Sequence, residues 1–168
     1  MKQKNKHIFV FGIFAVDLSF YVDKKVKPGE TIIAKSSNIG PGGKASNQAI
    51  SARKLGASTT LITRLGNDNF NSYAHDIWRR EKLFASTSID KNLPTGMAGI
   101  FIDDKTGENS VIVDPGASAH LSIDDFYSQK SKMKKGDIFL TQFEQSSDTT
   151  FAVPVSYTHL RAHETLPY

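Results

Sequence analysis

The sequence predicts an α/β fold with a parallel sheet and a small β flap. Three observations carry that prediction. Apolar runs at residues 8–16, 59–65 and 137–143 have the length and composition of buried strands. Stretches with apolar residues at helical spacing stand between them. Two polar turns flanked by short β-type runs interrupt the alternation as hairpins.

Residues 8–16 are almost continuously apolar, with one glycine, and read as the first core strand. The run ends at Asp17, a carboxylate placed where open α/β sheets bind ligands, past a strand's carboxyl end. Leu18, Phe20 and Val22 alternate with polar residues, so a half-exposed strand is expected next. Pro28-Gly29 turns the chain and residues 31–34 are expected to return as its partner. Gly42-Gly43 then precede a helix whose Ala45, Ala49, Ala52 and Leu55 share one face, with Gly56 in the C-terminal capping place. Residues 59–65 form a buried strand closed by Gly66. Phe70, Tyr73, Ala74, Ile77 and Trp78 recur at helical spacing and predict an amphipathic helix over 70–81, its aromatics serving as packing. Residues 99–103 and 110–113 flank the polar turn 104–108 as a second hairpin. Ser122 and Asp125 have the spacing of a capping box, opening a helix expected to run to about Lys134 and to stop at Gly136. Residues 137–143 are the last core strand, and Glu144 stands just beyond it.

Composition limits the function classes. At 168 residues the chain has the size of one domain, and 39% apolar residues suffice for a core. The absence of cysteine excludes a disulfide framework, a thiolate metal site and a cysteine nucleophile, and it fits a reducing cytoplasm. The apolar run after Lys2, Lys4 and Lys6 lacks a small-residue cleavage site and is too short to span a bilayer, so neither a signal peptide nor a membrane partner is expected. A net charge of +4 invites a nucleic-acid reading. The lysines at 24, 25, 27, 130, 132, 134 and 135 are scattered without interleaved aromatics, so no nucleic-acid partner is expected.

The chemistry concentrates at the glycine pair. Two glycines at a helix start allow close approach of backbone to a polar molecule, and the free amides there donate to it. Lys44 adds a charge, and Asn47, one turn in, adds a donor and an acceptor on the same side. Asp17 and Glu144 both fall at strand ends on that edge of the sheet, so all these groups are expected to converge on one ligand. A dinucleotide reading of Gly40-Pro41-Gly42-Gly43-Lys44-Ala45 is an alternative, but a hairpin separates this loop from the first strand. A phosphate-binding P-loop fits less well, because Ala45 follows Lys44 and Asn stands at position 38.

Gly42-Gly43-Lys44-Ala45-Ser46-Asn47-Gln48-Ala49, followed by Gly56 and Gly66, resembles the first signature of the pfkB carbohydrate-kinase family at every constrained position. Gly12 with Asp17, Pro28-Gly29-Glu30-Thr31, Gly66-Asn67-Asp68, Pro94-Thr95-Gly96 and Gln142-Phe143-Glu144 extend the likeness, which is greatest to the family's ribokinase branch. The resemblance implies a ribokinase-like three-layer α/β/α core over residues 1–152, with a β-lid from two hairpin insertions at about 18–41 and 97–114. It implies that Asp17 accepts hydrogen bonds from sugar hydroxyls and that Gly42, Gly43, Lys44 and Asn47 hold others. Glu144 would bind the sugar near the metal-phosphate region. The implied reaction is ATP-dependent phosphorylation of a small sugar, D-ribose to ribose 5-phosphate in the first place, with ATP and Mg2+ as cofactors and a homodimer formed through the lid. Two positions depart from the pattern. Ala15 stands where the branch commonly has Asn, and Asn71 where glycine is frequent.

The family's Gly-Ala-Gly-Asp-type helix start, which supplies the base and anion site for phosphoryl transfer, does not occur in the sequence. The resemblance therefore implies a fold truncated before its nucleotide-binding half, with no catalytic residue in this chain. A non-catalytic sugar-binding module is the alternative function. Residues 153–168 are expected to fit no element and resemble translated adapter read-through. His159, His163 and Glu164 there have metal-ligand spacing, but in such a segment no metal site is expected.

Overall fold

The computed structural model describes residues 6–133 and 137–162. Its strands form two four-stranded sheets. The core sheet contains β1 (His7–Phe11), β4 (Ser58–Gly66), β5 (Phe84–Asp90) and β8 (Ile138–Thr141), in the order β5-β4-β1-β8. Every pairing in it is parallel. The lid sheet contains β2 (Ala15–Val22), β3 (Ser36–Gly42), β6 (Thr95–Asp103) and β7 (Asn109–Gly116), in the order β3-β2-β6-β7.

Helices cover both faces of the core sheet. Val10 of β1 and Leu61 and Leu65 of β4 pack with Ala45 and Ala49 of α1 (Lys44–Lys54) and with Ala74, Ile77 and Trp78 of α2 (Asn69–Arg80). Their neighbours Phe9, Phe11 and Ile62 point the other way, against Phe126 of α3 (Ile123–Tyr127) and Val153 and Tyr157 of α4 (Ser147–Ala162). This is the period-two alternation of a sheet buried on both sides. Trp78 is held at its rim as well as its face. Its indole N–H donates to Ser46 Oγ at 3.2 Å, and its ring meets Phe14 edge-on at 5.2 Å.

Several elements differ from the sequence reading. The apolar run 8–16 is two strands, because the chain leaves the core sheet after Phe11 and enters the lid sheet at Ala15. Gly12 lies between them, where an added Cβ would stand 2.5 Å from Gln142 Oε1 and 2.7 Å from Ala45 Cβ. Asp17 therefore lies inside β2 of the lid, not beyond a core strand. The partner of β2 is β3, starting at Ser36, while residues 31–34 form no strand. Lys35 pins the approach to β3, its ammonium bonding Asp104 at 2.7 Å and Asp23 at 2.8 Å. The lid begins at Ala15 and reaches Gly42 on one side, and spans Thr95–Gly116 on the other, wider than the hairpins expected. β5 was not anticipated.

Helix ends follow local chemistry. Asp68 caps α2, accepting from Asn71 N at 3.1 Å, and ties it to β6 by accepting from Thr95 N at 2.7 Å. Asn71 donates through its side chain to the Gly66 carbonyl at 3.0 Å. Leu55, expected on the buried face of α1, is 88% exposed as its C-cap. The capping box at Ser122 and Asp125 is present, and Asp125 also takes Arg64 at 3.0 Å. α3 nonetheless ends at Tyr127, with a short 3-10 turn at Lys130–Lys132; Lys134 and Gly136 lie outside the described residues. Where residues from 153 onward were expected to fit no element, α4 continues to Ala162 through Pro154. Val153 is buried, and Tyr157 donates to the Asp137 carbonyl at 2.7 Å. His163 and Glu164 are outside the described residues. Among the described residues no helix is long and apolar enough to cross a membrane.

Candidate functional site

The residues singled out from sequence meet where the two sheets join. α1 opens at Gly43, whose backbone (φ 82°, ψ 127°) lies in the region that favours glycine. A Cβ there would stand 2.4 Å from the Ile13 carbonyl oxygen and 2.9 Å from Phe14 Cα, so the helix start sits directly on the crossing between the sheets. Gly42 is needed for another reason. Its missing Cβ would fall 2.0 Å from Oδ1 of Asp17, so the carboxylate lies against bare backbone.

Glu144 closes the opposite side. It follows β8, and its carboxylate accepts from Lys44 N at 2.8 Å and from Lys44 Nζ at 2.6 Å. An anion at the amino end of a helix is favoured by the unpaired amides and by the dipole. Two carboxylates are thereby drawn together. Partial burial, and secondarily the negative charge of Glu144, hold the Asp17 carboxyl above its ordinary range. Asn47 is exposed one turn into α1, its amide N donating to the Gly43 carbonyl at 3.0 Å. The structure thus gathers Asp17, Gly42, Gly43, Lys44 and Glu144, and places Asn47 on the same helix without a described side-chain contact to them.

Such a constellation suits a polyhydroxylated ligand. Carboxylates accept from hydroxyl groups, while Lys44 and the helix-start amides donate to hydroxyl oxygens. Each bond to a charged group contributes about 1.5–3 kcal/mol when made and leaves a penalty when lost.

Sequence reasoning missed two supports of the site. Ser118, fully buried, donates to the carbonyls of Phe14 at 3.0 Å and Arg64 at 3.3 Å and so latches the crossing between the sheets. Nothing in a lone serine of a loop signals this. Gln142 and Gln48 join side chains beneath Glu144. Gln142 was noticed only as a neighbour of that acid, because a buried amide leaves no periodic signature. Among the described residues no group of three or more His, Asp or Glu side chains is placed to hold a metal ion.

Known proteins resemble this chain over most of its length. The pattern of the pfkB family carbohydrate kinases matches residues 5–151. Ribokinase of Dictyostelium discoideum is 34% identical over 145 residues, which is 86% of this chain and 45% of that protein. The solved structure of ribokinase from Giardia lamblia superimposes with a TM-score of 0.87 at 26% identity, covering 95% of this chain and 52% of the other. Arabidopsis thaliana ribokinase, solved in complex with ribose and ATP, gives a TM-score of 0.73 at 25% identity over 94% of this chain and 51% of its own. The chain spans about half the length of the relatives it matches. The two-sheet architecture is the ribokinase-like α/β fold, and the chain belongs to the pfkB family of carbohydrate kinases.

Proposed function

We propose that this chain is the sugar-holding part of an enzyme that transfers a phosphoryl group from ATP to a small sugar, D-ribose first, giving ribose 5-phosphate. The observation that carries the reading is the meeting of Asp17, Gly42, Gly43, Lys44 and Glu144 at one seam. Asp17 would accept from ring hydroxyls, while Lys44 and the Gly43 end of α1 would donate to hydroxyl oxygens, with Asn47 a turn away for another. Glu144 would exchange part of its bond to Lys44 for the sugar. Closure of the lid sheet over the sugar would exclude water. Exposed Ile39, Val111, Ile112 and Val113 on that sheet support pairing of two lids in a homodimer.

ATP would supply the phosphoryl group and Mg2+ would neutralise it. Among the described residues there is no cluster of three or more acidic or histidine side chains to hold that ion. Residues 1–168 hold no Gly-Ala-Gly-Asp-type segment and by themselves are expected to bind sugar without turnover; a non-catalytic binding module is the second reading.

Titration calorimetry with D-ribose tests the site. Saturable binding that Asp17→Ala abolishes is expected; absence of binding, or binding unchanged by the substitution, refutes the sugar site. An ATP-dependent phosphorylation assay tests the inactivity of residues 1–168, which steady turnover would contradict.

A further inference from the structure

We infer that Gln142 is a positioning residue of this site, an amide wedge that, through Gln48, sets Glu144 against the amino end of α1. The inference deepens the sugar-site reading above, but its geometry stands without a ligand.

Gln142 is the first residue after β8 and precedes Glu144 by two. It is 7% exposed, and its Nε2 donates to Gln48 Oε1. Gln48 lies four residues after Lys44, one turn further along α1. The exit of β8 is therefore tied to α1 by two successive rungs, Gln142 to Gln48 and Glu144 to Lys44. The segment between the rungs is braced on itself. Gln145 Nε2 donates to the Gln142 carbonyl at 2.5 Å and to Thr141 Oγ1 at 2.8 Å. On its other side the Gln142 amide fills the space that a side chain at residue 12 would need, with Oε1 2.5 Å from that Cβ position. Gly12 thus makes room for the wedge at the point where the chain changes sheets.

Stability does not account for an amide there. Oε1 of Gln142 and Oε1 of Gln145 are buried with no hydrogen-bond partner among the described residues. A buried unpaired acceptor costs stability, and an apolar side chain of similar shape avoids that cost. What Leu at position 142 cannot provide is the directed bond to Gln48. Position of Glu144, not strength of the fold, is what the amide provides.

The experiment uses the 168-residue chain and the variants Gln142→Leu, Gln48→Leu and Gln48→Glu. Carbon-13 carboxyl NMR follows the titration of Asp17, whose midpoint depends on its burial and, secondarily, on the nearness of Glu144, and calorimetry with D-ribose follows affinity. Gln142→Leu and Gln48→Leu are expected to melt no lower than the parent, to move the Asp17 midpoint part of the way back to the ordinary carboxylate range, and to weaken D-ribose at least tenfold. Gln48→Glu keeps an acceptor for Gln142 and is expected to keep the D-ribose affinity, while the Asp17 midpoint is compared only among the uncharged variants, since a new carboxylate would itself shift it. Gln48 is exposed on α1, so its variants fold even where a core change at 142 does not. An Asp17 midpoint already ordinary in the parent, or unmoved in Gln48→Leu, overturns the inference. A parent that binds no D-ribose refutes the sugar site instead, and the Asp17 titration still decides the role of Gln142.

Discussion

Adding one methyl group at each of two adjacent glycines should produce opposite phenotypes. In Gly42→Ala the new Cβ would stand 2.0 Å from Asp17 Oδ1 and 2.5 Å from its Cγ. Ordinary contact begins near 3.4 Å, so the carboxylate must retreat by more than an ångström. A side chain can do so, and Gly42 has no unusual backbone angle, so the melting temperature should change little. The sugar, however, loses a hydrogen bond to a charged group, about 1.5–3 kcal/mol, or about ten- to a hundredfold in Kd. Gly43→Ala meets backbone instead, 2.4 Å from the Ile13 carbonyl, at φ 82°. The strained backbone alone costs about 1–3 kcal/mol, and neither Ile13 nor Phe14 can step aside without opening the crossing between sheets. At about 2–4 °C per kcal/mol for a chain of this size, a fall of about 10 °C is expected. Thermal denaturation and D-ribose calorimetry on both variants check this. Equal melting temperatures, or unchanged ribose affinity in Gly42→Ala, would refute the reasoning.

Three further outcomes follow from the same geometry. Because Asp17 titrates above its ordinary range when folded, the folded chain holds that proton more tightly than the unfolded chain. Its contribution to stability is greatest below the ordinary carboxylate pKa and declines as pH rises through the raised value, so Asp17→Asn should melt higher than the parent at pH 7, converge with it in acid, and bind ribose poorly. Trp78→Ala, at a side chain 1% exposed, should cost roughly 3–5 kcal/mol in urea denaturation. Phe143 and Phe151, 82% and 65% exposed with rings 6.3 Å apart, together with Val155, make an open apolar strip. The chain should self-associate in sedimentation, less so as the Phe143→Ser/Phe151→Ser double variant, and a monodisperse parent would contradict this.

What was legible in the sequence is what local chemistry dictates. The start of α1 follows from a glycine pair before spaced alanines, α2 from its aromatic stripe, and the turn of α3 from a serine and an aspartate three apart. Failures occur where tertiary pairing overrides composition. β3 reads Ser-Ser-Asn-Ile-Gly-Pro-Gly, with little strand propensity, and exists because its backbone is in register with β2. Pro41 is tolerated because β3 is an edge strand. β5 is likewise an edge, and its half-buried Ser and Thr residues carry no apolar alternation. The break at Gly12 is hidden because both halves of the run are equally buried. The nearness of Asp17 to the glycine pair is legible despite that error: the residue belongs to another strand but to the expected neighbourhood, since the carboxyl end of β1 and the start of β2 share the same edge.

The change of sheet between Phe11 and Ala15 has a mechanical result. Asp17 rides on the lid, whereas Lys44 and Glu144 are anchored to the core. Any molecule gripped by both parties works as a strut between two plates, and tilting one plate alters the grip. Under the proposed sugar reading, occupancy and the angle between the sheets would be one coordinate: whatever swung the upper sheet outward would also loosen the catch below.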